Sequence, residues 1–186
     1  PEKNLELQRQ IPHEIMHLLQ HQVTGSQYTR QPVWLLEGMS SLAELYPNPE
    51  YARVLEDTAR QNHLLPMETL CDAFPPDAGL AFRSYAQSES FVNFLHASFG
   101  TNDLRRLMDA YQDGLGCKEG VAAVYGETLS QLEYRWKQEA LGINPGGLAL
   151  RRLSPYLLLG LLIILPAALA LWPYRSKHRD ADEDGN

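Results

Sequence analysis

The chain has 186 residues, a net charge of −7 and a hydrophobic share of 44%, which allows one globular domain of ordinary size with something added. The acidic balance, without a Lys/Arg-rich run or an aromatic stripe, excludes a nucleic-acid binder, which would present a basic face. Two cysteines, Cys71 and Cys117, are too few for a disulfide framework and lack zinc-ribbon spacing; they either pair in an oxidising compartment or remain buried thiols.

Strand signals are scarce, and the expected fold class is mainly α. The chain opens on Pro1 in the middle of a helical pattern and reads as a piece whose N-terminal part, including any signal peptide, lies upstream. From Glu2 to Gln22, Leu5, Ile11, Ile15, Leu18 and Leu19 recur at helical spacing, with Pro12 marking a kink or a later helix start. A polar loop containing Gly25 runs to Pro32. The stretch Trp34 to Tyr46 predicts a second helix, closed by Pro47-Asn48-Pro49. Shorter helices are expected over Glu50–Gln61 and Pro66–Asp72, with a loop at Pro75 and Pro76. A longer helix follows from about Phe82 to Ser98, stopped by Gly100. Another starts at Thr101 and ends near Gly114, and the pieces Lys118–Tyr125 and Thr128–Leu141 complete the domain. Asn144-Pro145-Gly146-Gly147 then reads as a linker.

Beyond it, Leu153 to Tyr174 is 22 residues without a charge, where a hydrocarbon core of about 30 Å needs roughly 20 residues in helix. Pro166 is tolerated inside such a helix, and Tyr156, Trp172 and Tyr174 suit the two interfaces. A buried core helix and an interfacial helix are the alternatives; the stretch has no polar face for the second. Arg151 and Arg152 flank one end, and Arg175, Lys177 and Arg179 the other, an excess that places the tail in the cytoplasm and the main domain outside it. Residues 1–142 are thus expected as the main domain, 143–152 as linker, 153–174 as membrane helix and 175–186 as a short charged tail.

His13-Glu14-Ile15-Met16-His17 is His-Glu-x-x-His on the first helix. Residues four apart share a helix face, so the two imidazoles can grip one ion, about 2.0–2.1 Å from each nitrogen if it is zinc. Glu14 points to the neighbouring side, where it can take a proton from a metal-activated water as that water attacks a carbonyl. A catalytic zinc takes three protein ligands. Glu37, in Trp34-Leu35-Leu36-Glu37-Gly38-Met39, sits among apolar residues, and burying an unpaired carboxylate is costly. A zinc ion would supply its partner; a solvent-facing position or a pair with Arg30 are the alternatives.

His13–His17 followed at this distance by Trp34-Leu-Leu-Glu-Gly-Met resembles the gluzincin metallopeptidases, and most closely the bacterial peptidase MA family metallohydrolases, over about Leu5 to Leu141. The resemblance implies a helical catalytic core with its β-structure upstream, a Zn2+ cofactor held by His13, His17 and Glu37, and Glu14 as general base. It implies a peptide or protein substrate. Glu44 matches a second acidic position, seven after Glu37, which could receive the free N–H of a ligand histidine or be an exposed carboxylate. Ser84-Tyr85 through Leu95 resembles the stretch in which a tyrosine opens a helix over the active site, so Tyr85 is the candidate oxyanion donor or else a packing tyrosine; His63 and His96 are weaker alternatives. His21 is a neighbour rather than a ligand. The family's Gly-rich substrate-binding strand has no counterpart here. The rival to a membrane-anchored zinc peptidase is a catalytically silent module keeping the same fold for binding or scaffolding.

Overall fold

A computed structural model of the chain describes residues 2–143 and the isolated positions 156 and 166. The described residues contain α-helices and short 3-10 turns and no strand: α1 (Glu2–Thr24), α2 (Val33–Leu42), α3 (Pro49–Arg60), α4 (Ala78–Phe99), α5 (Thr101–Gln112), α6 (Cys117–Tyr125) and α7 (Leu129–Glu139). The fold is mainly helical, as the scarcity of strand signals predicts. Residues through Ile143 form one compact unit. The expected span at 153–174, its linker and the tail lie outside the described residues. Among the described residues no helix is long and apolar enough to cross a membrane.

The breaks fall where the punctuating residues put them. Asn48 caps α3 by accepting from the Glu50 amide at 3.0 Å, Asp77 caps α4 from the Leu80 amide at 2.9 Å, and Thr128 and Gln131 form a reciprocal capping box on α7. Such caps satisfy amides that a helix start leaves unpaired. Helix α1 runs unbroken through Pro12, and α2 stops at Leu42, four residues before the expected end. The loop after α1 is wound into a 3-10 turn, Gly25–Arg30.

Helix α2 is the centre of the domain. Trp34 and Leu35 are wholly buried and Leu36 nearly so, in a core completed by Phe91, Leu95, Leu107, Tyr111, Leu132 and Trp136. The rings of Trp34 and Phe91 meet edge to face at 5.2 Å, and Phe91 meets Trp136 in the same way at 5.7 Å, the arrangement aromatic quadrupoles favour. Gly38 lets α2 lie directly on α4: a Cβ there would stand 2.5 Å from both the Ser88 carbonyl oxygen and Val92 Cγ2. A disulfide joins Cys71 to Cys117 across 46 residues, which settles the open question about the two thiols. The indole N–H of Trp34 donates to Cys117 Sγ at 3.3 Å, so the staple borders the start of α2.

Helix α1 is packed in the opposite sense. Its apolar side chains Leu7, Ile11, Ile15, Leu18, Leu19 and Val23 are exposed. The face turned to the body carries Arg9, Gln20 and Thr24, all buried, together with His13 and His17.

Candidate metal centre

His13 and His17 lie one turn apart on α1 and Glu37 on the facing turn of α2, and these three form a group able to hold a metal ion, their ligand atoms all within 4.8 Å of one another. The nearest atoms are closer still. His13 Nε2 and His17 Nε2 are 3.2 Å apart, and each is 3.4 Å from Glu37 Oε2. Donors held about 2.0–2.1 Å from one tetrahedral zinc stand about 3.3–3.4 Å from each other. The measured triangle has that size.

The outer atoms of both rings are spoken for. His13 Nδ1 donates to Glu44 Oε1 at 3.0 Å, and that carboxylate, with a side chain only 2% exposed, also accepts from Arg9 at 2.8 Å. Arg9 is buried and pairs on its other side with Glu6. His17 Nδ1 lies 3.0 Å from Gln20 Oε1, with the Tyr28 and Ser40 hydroxyls at 3.1 and 3.2 Å. A proton held on Nδ1 leaves Nε2 with a lone pair. Two such lone pairs and a carboxylate oxygen then converge with no proton among them, an arrangement that only a cation or added protons can hold together.

The electrostatics describe the second case, with protons among the three groups. Burial pushes the Glu37 carboxyl up, but hydrogen bonds from His13 and His17 and their charges outweigh it and hold it down at about 2. Both imidazoles are raised above their ordinary range, chiefly by the hydrogen bond to Glu37 and against the effect of burial. The donor set fits a divalent metal that takes nitrogen and oxygen ligands, zinc above all.

Glu14 is exposed and makes no side-chain hydrogen bond or ion pair with another described residue. It stands close enough for its charge to raise His17. Tyr85 lies on α4 with its ring edge-on to Phe74 at 5.0 Å. Its hydroxyl is raised by burial and then by the charges of Glu37 and Glu14. His21 packs on Tyr28, His96 pairs with Thr101 at 3.0 Å, and His63 is exposed; none joins the group. Arg30 does not pair with Glu37, whose partners are the two histidines.

Sequence reasoning missed Arg9, Gln20, Tyr28 and Ser40. Gln20 had a signal, since it follows His17 by three residues on the same face. Tyr28 and Ser40 had none, because their approach depends on how α1 and α2 are juxtaposed.

A family model described as Peptidase MA superfamily matches residues 3–142, three-quarters of the chain. Neither a curated protein nor a solved structure matches it.

Proposed function

Given that the chain belongs to the Peptidase MA superfamily, we propose that it is a zinc-dependent peptidase in which His13, His17 and Glu37 hold the metal and Glu14 is the general base. The observation that carries this reading is the triangle of His13 Nε2, His17 Nε2 and Glu37 Oε2, with sides of 3.2, 3.4 and 3.4 Å. His13, His17 and Glu37 would hold the zinc ion, which would supply Lewis-acid activation of a water molecule and of the scissile carbonyl. Glu14, which has no side-chain partner among the described residues, takes the proton of the attacking water and passes it to the leaving amine. Tyr85 is assigned as the donor to the oxygen on which charge develops, a role that acts most in the transition state. Glu44, held by Arg9, keeps His13 aimed at the metal.

The same reading extends to location. Residues 153–174 anchor the chain in a lipid bilayer, with the catalytic domain outside the cytoplasm and the tail within it. The Cys71–Cys117 disulfide supports that side, since such bonds persist in oxidising compartments and are rare in the cytosol.

The test compares zinc content and cleavage of an unstructured protein substrate for the parent chain, Glu14→Gln and Tyr85→Phe. Both variants should keep one zinc per chain. Glu14→Gln should lose nearly all turnover, and Tyr85→Phe about 10²–10³ in kcat, the loss typical of a missing oxyanion donor. A parent chain without stoichiometric metal, or a Glu14→Gln variant as active as the parent, sinks the assignment.

A further inference from the structure

We propose that Gln20 is a positioning residue: it fixes the tautomer of His17 and ties that ligand to the backbone beside Glu37. The inference rests on the zinc reading above and concerns a residue which that reading does not use.

Gln20 lies three residues after His17 on α1, with its side chain buried. Its amide is engaged at both ends. Nε2 donates to the Leu36 carbonyl oxygen at 3.0 Å, and Oε1 faces His17 Nδ1 at 3.0 Å. The other two groups near that nitrogen are the hydroxyls of Tyr28 and Ser40, which can either donate or accept. They do not choose a tautomer. An amide oxygen can only accept, so Gln20 does. Turning the amide over would set its oxygen against the Leu36 oxygen and lose that buried hydrogen bond, leaving a carbonyl without a donor. The proton therefore stays on Nδ1, and the Nε2 lone pair faces His13 Nε2 and Glu37 Oε2.

The second attachment matters as much as the first. Leu36 immediately precedes Glu37, so one side chain spans from a ligand on α1 to the backbone next to a ligand on α2. A slide of one helix over the other would strain both of its hydrogen bonds at once. The two histidines are also served differently. Behind His13 stands an anion, Glu44, neutralised in part by Arg9. Behind His17 stands a neutral amide, which orients the ring without adding a second negative charge behind the metal's ligands.

The test uses the intact chain and two variants, Gln20→Met, which removes both hydrogen bonds, and Gln20→Glu, which keeps an oxygen toward Nδ1. Zinc affinity is read by competition with a chromophoric chelator. Imidazole nitrogen NMR of the metal-free proteins, at a pH where the nitrogen shifts show both imidazoles neutral, reads the tautomer. The parent should show His17 protonated on Nδ1. Gln20→Met should bind zinc 10–100-fold more weakly, the usual cost of losing a ligand's supporting partner, and populate the Nε2–H form as the hydroxyls donate to Nδ1. Gln20→Glu should restore the Nδ1–H form and most of the affinity. A folded Gln20→Met variant with parental affinity and an unchanged His17 tautomer overturns the role of Gln20 alone. A parent that binds no zinc overturns the metal reading itself. A parent whose metal-free His17 is protonated on Nε2 overturns the tautomer assignment whatever the metal does.

Discussion

The two helices that carry the candidate ligands are built in opposite ways. Helix α2 presents Glu37 from the centre of the core, wedged against α4 at Gly38 and flanked by wholly buried Trp34 and Leu35. Helix α1 presents His13 and His17 from the edge. Its apolar side chains face outward, and its inner face is attached through polar pairs: Arg9 and His13 to Glu44, and Gln20 to Leu36. The comparison separates two jobs. Packing around α2 fixes where the carboxylate stands, and directed hydrogen bonds on α1 fix how the imidazoles point. Close packing tolerates no loss of volume, whereas hydrogen bonds specify angle and tautomer at modest net energy.

The contrast can be broken from its stronger side first. Trp34→Ala empties the middle of the core and should lose about 3–5 kcal/mol of stability in denaturant unfolding, with the candidate ligands untouched in sequence. A loss under about 1 kcal/mol would mean that α2 is not the structural centre. Next comes the staple beside it. Replacing Cys71 and Cys117 together by Ala frees a loop spanning 46 residues and should cost about 2–4 kcal/mol, again read from denaturant midpoints. An unchanged midpoint would remove the disulfide from the account of α2.

A smaller effect lies between the two regions. Glu89 on α4 has its carboxyl pushed up from 4.5 to about 7 by burial and then by Glu44, with Arg9 acting the other way. The folded chain thus keeps this proton over a pH range where the unfolded chain has released it. The stabilisation is whole below that range and is lost as pH rises through it. Because the residue is still partly open to water, the change should be on the order of 1 kcal/mol. Stability measured from acid to mildly alkaline pH should fall less steeply for Glu89→Gln than for the parent; parallel curves would contradict the placement of Glu89. The smallest effect belongs to the outer face of α1. Leu18, 70% exposed, should tolerate Ser within about 0.5 kcal/mol, and a larger loss would show that this face is covered.

The same contrast explains what could be read from the sequence. Helix positions were legible because Pro, Gly, Asn and Asp punctuate them, and the three candidate ligands because His-Glu-x-x-His puts two imidazoles on one turn and a carboxylate in the apolar stretch around Glu37 needs a partner. Periodicity located α1 but could not say which face packs. Leu5, Ile11, Ile15, Leu18 and Leu19 form the pattern of a buried stripe, yet they are exposed and the face turned inward is the polar one, with Arg9, Gln20 and Thr24. Arg9 carried no signal and Gln20 only its spacing from His17, because their partners, Glu44 and the Leu36 carbonyl, come from another part of the chain. The disulfide was one of two open options, since pairing across 46 residues depends on how α6 folds back toward Cys71.

The central claim is that His13, His17 and Glu37 hold one zinc ion. X-ray absorption at the zinc edge of the zinc-loaded parent chain tests it most directly. The account predicts a first shell of nitrogen and oxygen at about 2.0–2.1 Å without sulfur, with outer-shell scattering from two imidazoles that falls to one in His17→Ala. A chain that retains no zinc, or a bound zinc whose imidazole scattering is the same in His17→Ala as in the parent, would contradict it.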